Sequence, residues 1–185
     1  MALPPDGLLA DPARLAAWLP VSAEDPKLLE ALRAASSRFV GAVRHPVRLV
    51  ENDTVTLYGD GTDRLLLPAA PVVSVVSVDL DGDPLALGTG YRIRRDVGIL
   101  RRCGGVWPDW GEVTVTYSHG YDPIPDEIEE VVIDQARTIY RVQPGVQTVQ
   151  AGGESITYGA QAAIGVTSQW SEAVAAYRLN RGDRA

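Results

Sequence analysis

The segment from Gly111 to Arg141 constrains the fold most, because a strand pattern passes directly into a helix pattern within it. Its first part alternates apolar and polar residues, which is the two-residue period of a half-buried strand. Gly120 and Pro123 then break this pattern, since glycine permits unusual dihedral angles and proline removes a ladder donor. From Glu127 to Arg141, apolar residues recur at helical spacing, with carboxylates at the start and arginines at the end, as the helix dipole favours. The sequence therefore predicts a strand followed immediately by a long helix.

Further helices are predicted on both sides of this junction. Asp11-Pro12 is a good cap and first turn for a short helix, and the residues from Ser22 to Val43 predict a longer one. A last amphipathic helix is predicted to begin near Ser168. The segment 145–167 before it is rich in Gly, Ala, Gln, Ser and Thr, and we interpret it as a long functional loop.

Residues 54–118 have a different character, with β-branched runs separated by turn residues. The run 72–80 is interpreted as the central strand of a sheet, and Asp81-Gly82 is a strong hairpin signal. The other predicted strands are 54–58, 65–67, 85–87, 91–95, 98–102 and the one at 113–118.

These patterns predict an α+β fold. We expect a helical bundle of N-terminal helices, a long central helix and a C-terminal helix, with an inserted antiparallel β-module. The helical core is expected to comprise residues 1–50 and 122–185, and the β-rich module residues 51–121.

The composition excludes several classes of function. The 185 residues carry a net charge of −7, which argues against nucleic-acid binding by the whole surface, because phosphate binding needs clustered cations. Cys103 is the only cysteine, so neither an intramolecular disulfide nor a zinc site built from cysteines is possible. No apolar run approaches the ~20 residues that cross a bilayer, and the first residues lack a secretory pattern. We therefore expect a protein that is outside membranes and is made in a cytosol.

Candidate catalytic and metal-binding residues are few. Cys103, His119 and Asp122 form a nucleophilic triad on paper, but no family signature surrounds them, so a cysteine hydrolase is the least favoured hypothesis. The segment around Gly82 contains several aspartates, but it lacks the glycine and glutamate that a calcium-binding loop needs at its later positions. We interpret it as a hairpin tip with solvated carboxylates. We predict no enzymatic activity, no metal and no cofactor.

Aromatic and basic residues suggest a second class of function. Trp107, Trp110 and Tyr91 are the basis for an alternative hypothesis, a small carbohydrate- or ligand-binding β-module, although such rings also cover cores without any ligand. One basic cluster is interpreted either as a patch for an acidic partner or as a solvated sheet face. It consists of Arg92, Arg94, Arg95, Arg101 and Arg102.

Four stretches resemble the head-to-tail adaptor (connector) proteins of tailed bacteriophages. The first two are LPVSAEDPKLLEALRAASSRFVGAV and TVTLYGDGTDRLLLPAAPVVSVVSVDLDGDPL. The third is GILRR, followed by a Trp-containing turn and VTVTYSHGYDPIPDEIEEVVIDQARTIYR, and the last runs from GGESITYG to AAYR. Together they cover most of residues 19–180. The simpler members of that family are almost wholly helical, so the β-module is a departure from the pattern.

The resemblance implies a structural virion protein of the neck, assembled in the bacterial host cytoplasm. It implies a ring of twelve subunits beneath the portal protein, through which DNA passes without sequence-specific binding. The segment Ser168–Ala185 is then expected to dock onto the portal, and the β-part to meet a tail-side connector or stopper protein. The residues assigned to portal docking are Trp170, Tyr177, Arg178 and Leu179. Those assigned to ring or tail-side contacts are Arg94, Arg95, Trp107 and Trp110.

Overall fold

The computed structural model describes residues 7–141, 148–151, 154–157 and 167–179, and these residues form an α+β fold. The described helices are α1 (Pro12–Ala16), α2 (Pro26–Val43), α3 (Asp126–Arg141) and α4 (Ser168–Tyr177). The first strands are β1 (Val50–Tyr58), β2 (Arg64–Leu66), β3 (Val72–Leu80), β4 (Asp83–Pro84) and β5 (Tyr91–Arg94). The others are β6 (Ile99–Arg102), β7 (Glu112–His119), β8 (Thr148–Ala151) and β9 (Glu154–Thr157).

The chain divides into two compact units. The helical unit lies within Met1–Arg44 and Ile124–Arg178 and contains the four helices together with the β8–β9 hairpin. The β-unit lies within His45–Pro123 and Leu179–Ala185 and contains β1 to β7.

In the helical unit, the N-cap of α2 is a different residue from the one that the sequence suggested. Asp25, rather than Ser22, is the N-cap, and its Oδ1 accepts a hydrogen bond from the Leu28 N–H at 2.8 Å. The reason is Pro26, which occupies the first helical position, where its missing N–H costs nothing. The helix ends at Arg44, which is left-handed with φ +66°. Its buried residues repeat at helical spacing: Leu28, Ala31, Leu32, Ala35, Ser36, Phe39 and Val43.

Helix α3 provides the opposite wall of the same core and begins one residue earlier than predicted. Its buried residues are Ile128, Val131, Val132, Ile133, Gln135 and Ala136. The Glu129 carboxylate accepts a hydrogen bond from the Asp11 N–H at 2.9 Å and also pairs with the Arg14 guanidinium. This carboxylate therefore fixes α1 to the first turn of α3.

The β-unit contains two sheets where the sequence suggested one. The larger sheet has the order β1-β7-β3-β4, and the smaller has the order β2-β6-β5, all antiparallel. Strand β7, rather than β3 alone, is central, because it pairs along its length with β1 on one edge and β3 on the other. The β1–β7 register is interrupted by a bulge between Val50 and Asp53, where Asn52 has φ +52°.

The two sheets of the β-unit share one hydrophobic core. Buried side chains of both contribute to it, and Trp107, Val113, Val115, Tyr117 and Leu100 are each 0% exposed. This explains the alternation read from the sequence at Val113, Val115 and Tyr117, which all face this core.

The end of β7 is fixed by backbone crowding. Gly120 has φ +97°, and its N–H donates to the Pro71 carbonyl at 2.9 Å. A Cβ atom at this position would lie 2.4 Å from the Arg48 carbonyl oxygen. The next residue, Tyr121, donates to the Val47 carbonyl and accepts from the Leu49 N–H. Glycine is therefore required where the strand ends, both for its dihedral angles and for the space.

Two local strand predictions were wrong. The Asp81-Gly82 hairpin forms, with φ above zero at both residues, but the returning strand is Asp83–Pro84 rather than 85–87. The segment interpreted as a loop contains the antiparallel β8–β9 pair, in which Val149 lies opposite Ile156. The remaining parts of that segment, including Gly152-Gly153, lie outside the described residues. None of the helices in the described part of the chain is both long enough and apolar enough to cross a bilayer.

Two glycine substitutions test this account of the backbone. We expect Gly120→Ala to lower the free energy of unfolding by about 2–3 kcal/mol, because it adds a clash to an unfavourable φ. We expect Gly41→Ala, at an exposed position of α2 with open space around it, to raise it by about 0.5–1 kcal/mol. Urea unfolding of both variants measures the difference, and two effects of equal sign would contradict this interpretation.

Candidate interaction surfaces

Helix α4 is held on the helical unit by one aromatic contact. The Trp170 side chain is 8% exposed, and its ring meets the Phe39 ring edge-on, with centroids 5.4 Å apart at 87°. Thr167 caps the helix by accepting from the Trp170 N–H at 3.1 Å. At the other end, the Tyr177 hydroxyl donates to Glu127 Oε2 at 3.1 Å. Both residues assigned to portal docking from within this helix therefore make contacts inside the chain.

The outer side of α4 is open to solvent. Only Trp170 and Ala173 of its ten residues are buried. Of the other residues assigned to portal docking, Arg178 is exposed directly after the helix and Leu179 is half-buried. The exposed helical residues that the residue-level assignment missed are Ser168, Gln169, Ser171, Glu172, Ala175 and Ala176.

The aromatic anchor of α4 can be tested by matched tryptophan substitutions. We expect Trp170→Ala to raise amide hydrogen exchange of residues 168–177 at least tenfold, because the helix loses its main apolar contact. Trp18→Ala is the control, since that side chain is 63% exposed and lies over the Arg137 guanidinium. Unchanged exchange in α4 of the Trp170 variant would refute the anchor.

The two tryptophans of the β-unit occupy opposite environments. Trp107 is 0% exposed and belongs to the core, with the Arg102 guanidinium 5.6 Å from its ring centroid. Its side chain therefore offers no surface to a partner. Trp110 is 78% exposed and lies beside Tyr58, which is 55% exposed, with ring centroids 6.4 Å apart.

A tight loop holds Trp110 in this exposed position. The residue has φ +60°, a conformation that costs a non-glycine residue ~1–3 kcal/mol. Its N–H donates to the Gly59 carbonyl at 3.0 Å, and the Gly111 N–H donates to the Pro108 carbonyl at 2.9 Å. A Cβ atom on Gly59 would lie 2.1 Å from the Pro108 oxygen, so the loop closes only over a glycine. Strain held at an exposed aromatic residue marks a candidate contact site.

Carboxylates gather at the same end of the larger sheet. Asp81 Oδ1 accepts from the Glu112 N–H at 2.8 Å, which brings the β3–β4 turn beside the start of β7. We call this region the acidic end: Asp79, Asp81, Asp83 and Glu112, with Tyr58 and Trp110. Within the described part of the chain, no ion pair involves any of its four carboxylates.

The smaller sheet presents a row of arginines on its outer face. Arg64 lies opposite Arg101, and Arg101 lies opposite Arg92 on the next strand. In the neighbouring row, Leu66 lies opposite Ile99, which lies opposite Arg94. We call this surface the arginine face: Arg64, Arg92, Arg94 and Arg101, with Leu66 and Ile99. An open hollow of ≈ 360 Å³ lies over it.

The charges on the arginine face are only partly balanced. Asp63 accepts from Arg101 at 2.6 Å and lies 3.7 Å from Arg64, while Asp96 pairs with Arg94 at 3.0 Å. Like charges directly opposite each other destabilise a sheet. The basic cluster read from the sequence therefore separates: Arg92, Arg94 and Arg101 share this face with Arg64, whereas Arg102 packs on Trp107.

Arg95, which was assigned to the ring or tail-side contact, also lies off this face. It extends past the end of β5 and donates to the Val73 carbonyl oxygen. The membership of Arg64 was missed, because it follows from strand pairing rather than from any local pattern.

The residues proposed for catalysis have other partners. The His119 imidazole pairs with Asp53 at 3.1 Å through Nε2 and packs on the Tyr117 ring at 4.8 Å. The Cys103 thiol contacts the Gly88 carbonyl oxygen at 3.7 Å. Tyr91, one basis of the ligand-binding hypothesis, is 4% exposed and belongs to the core. Within the described residues, no group of three or more His, Cys, Asp or Glu side chains could hold a metal ion.

Burial of Tyr117 makes the stability of the β-unit depend on pH in the alkaline range. Burial raises the pKa of this phenol from 10.0 to about 12, and the Asp53 carboxylate acts in the same direction. The raised pKa stabilises the fold below pH 10, and this stabilisation is lost as the pH rises towards 12.

We expect Tyr117→Phe to flatten the fall in the free energy of unfolding between pH 10 and pH 12. Urea unfolding across this pH range measures the change, with Tyr58→Phe as the matched loss of an exposed phenol. Equal slopes for the Tyr117 variant and the unmodified chain would contradict the expectation.

Comparisons with known proteins agree with the extent of this fold. A family model described as "Head completion protein" matches residues 16–179. A comparison with curated proteins finds no match.

Solved structures with similar chains come from gene transfer agent (GTA) particles. A chain of the virion of the native particle is 19% identical, with a TM-score of 0.62. A chain in the neck of the native particle, computed with C12 symmetry, is 20% identical with a TM-score of 0.57. One in the neck of the empty particle, computed with C6 symmetry, is 21% identical with a TM-score of 0.58. Each alignment covers 97% of this chain and 94% of the other, which establishes a shared fold.

Proposed function

The chain belongs to the head completion protein family and is a structural head-to-tail connector of a phage-like virion, and we propose how it performs this role. The observation that carries the proposal is the extent of the family match. Residues 16–179 include α2, strands β1 to β7 and α4, so both units contribute to the connector. The role is mechanical and needs no catalytic group.

We propose that the helical unit is the adaptor core and that the β-unit is a module inserted into it. The division of the chain supports this, because the helical unit is built from segments that precede and follow His45–Pro123, the part of the β-unit that contains β1 to β7. The core then supplies the contacts common to the family, and the inserted module supplies contacts specific to this neck.

The connector is proposed to act as a ring of twelve copies around a DNA channel. Structures with the same fold come from necks computed with C12 and C6 symmetry, which supports a ring. A ring requires a heterologous interface, in which one surface of a copy meets a different surface of the next. The net charge of −7 favours a channel through which DNA slides, because only clustered cations would hold the phosphate backbone in place. No sequence-specific reading of DNA is part of this role.

The portal protein is proposed to bind the outer side of α4 and the residues that follow it. This helix is short, is anchored mainly by Trp170 and leaves most of its surface in solvent. Such a helix can adjust to a partner without disturbing the α2–α3 core. The β-unit is proposed to meet the tail-side connector or stopper protein.

The test is co-expression with the portal protein of the same genome, followed by native mass spectrometry. We expect a stable complex that is lost in the double variant Ala175→Arg, Arg178→Glu, because these substitutions alter the surface that α4 offers to the portal. Both positions are exposed, so the helix should still form.

The matched control is Glu30→Ala, an exposed substitution on α2 that should leave the complex intact. Equal melting temperatures for all variants would exclude a folding defect. A complex that survives the double variant would refute docking through α4, and the absence of any complex with the unmodified chain would refute the portal as partner.

A further inference from the structure

We propose that the β-units of neighbouring copies bind each other, with the arginine face of one copy against the acidic end of the next. This inference rests on the ring proposed above and identifies the two surfaces that close it. In the single chain the charges of neither surface are fully paired, and each surface carries the charge that would balance the other.

The arginine face is built to receive carboxylates. Its four guanidiniums are balanced by two carboxylates, those of Asp63 and Asp96. Arg92 is exposed, lies opposite Arg101 and makes no ion pair within the described residues. An anionic partner would relieve this cross-strand repulsion, so the face gains more from such a partner than a balanced surface would.

The composition of the arginine face favours a protein partner over DNA. Leu66 is 47% exposed and lies opposite the half-buried Ile99, so an apolar strip lies beside the row formed by Arg64, Arg101 and Arg92. Protein interfaces combine an apolar centre with a charged rim. A phosphate backbone would leave that strip unmatched, and the overall charge of −7 opposes approach to DNA.

The acidic end has the complementary composition. Asp81, Asp83 and Glu112 are exposed, and the strained loop holds Trp110 beside Tyr58 in solvent. An arginine guanidinium stacks favourably on an exposed tryptophan, and tryptophan is the best aromatic partner for it. This end therefore offers both carboxylates and a ring surface to an arginine-bearing partner.

A second copy of the chain is the occupant that satisfies both surfaces. Both lie on the same β-unit, yet within the described residues no ion pair joins an arginine of the face to a carboxylate of the acidic end. Two different, complementary surfaces on one subunit form a heterologous contact, which closes into a ring when the rotation allows.

The experiment is a charge exchange in the full chain, read as self-association by analytical ultracentrifugation at low salt and as ring size in the portal complex. We expect Arg92→Glu and Asp83→Arg each to weaken association about tenfold or more. The double variant that carries both should recover most of it, because the exchanged charges again face each other. Association should also fall as salt rises.

Trp110→Ala tests the aromatic part of the contact. We expect it to weaken association about tenfold, whereas Trp18→Ala, an equally large loss from an exposed site in the helical unit, should not. Equal effects of the two substitutions would remove Trp110 from the interface.

Three results would overturn the proposal. One is a double variant that associates no better than the singles, and another is an unmodified chain that stays monomeric both alone and with the portal. The third is a retained ring together with Arg92-dependent binding of duplex DNA, which would assign the arginine face to phosphate. If portal binding fails but charge exchange still controls self-association, the portal is not the partner and the interface between copies stands.

Discussion

Strand β7 is the element on which the β-unit depends, because it is hydrogen-bonded along both edges while its side chains fill the core. Val113, Val115 and Tyr117 are all fully buried there, so a shift of one residue would turn every one of them towards solvent. The register is therefore fixed from both neighbours. Gly120 then ends the strand at the one position where the Arg48 carbonyl leaves no room for a side chain.

The surfaces of the molecule follow from this rigid centre. The acidic end exists because β7 begins beside the β3–β4 turn, where the Glu112 N–H meets Asp81. The arginine face exists because pairing of β2, β6 and β5 turns Leu65, Leu100 and Ile93 inwards and leaves their neighbours outside. By contrast, α4 depends chiefly on a single ring contact. A connector gains from this division, since rigid surfaces can define a ring while a lightly held helix adapts to a partner.

Local signals in the sequence predicted the long elements well and the assembly of the sheets poorly. Helices α2 and α3 were readable because their apolar spacing is long and because α3 begins with a run of carboxylates, whereas the effect of Pro26 on the start of α2 was missed. The division into two sheets was not, because β2, β5 and β6 are three or four residues long and β2 pairs with the distant strand β6. No local signal separated Trp107 from Trp110 either. Their burial differs because the turn between them places one in the core and the other on the left-handed loop.

The bulge in β1 has a consequence for the free chain. Strand β1 is the longer of the two outer strands of the larger sheet in the described part of the protein, and an open edge of nine residues can recruit strands from other molecules. Asn52 interrupts its regular geometry, and Glu51 and Asp53 place charge on either side of the interruption. Bulges and charges of this kind prevent edge-to-edge pairing. The edge of β1 is thus a poor template for a strand of another copy, which agrees with the proposed contact between copies through side chains rather than through a shared backbone ladder.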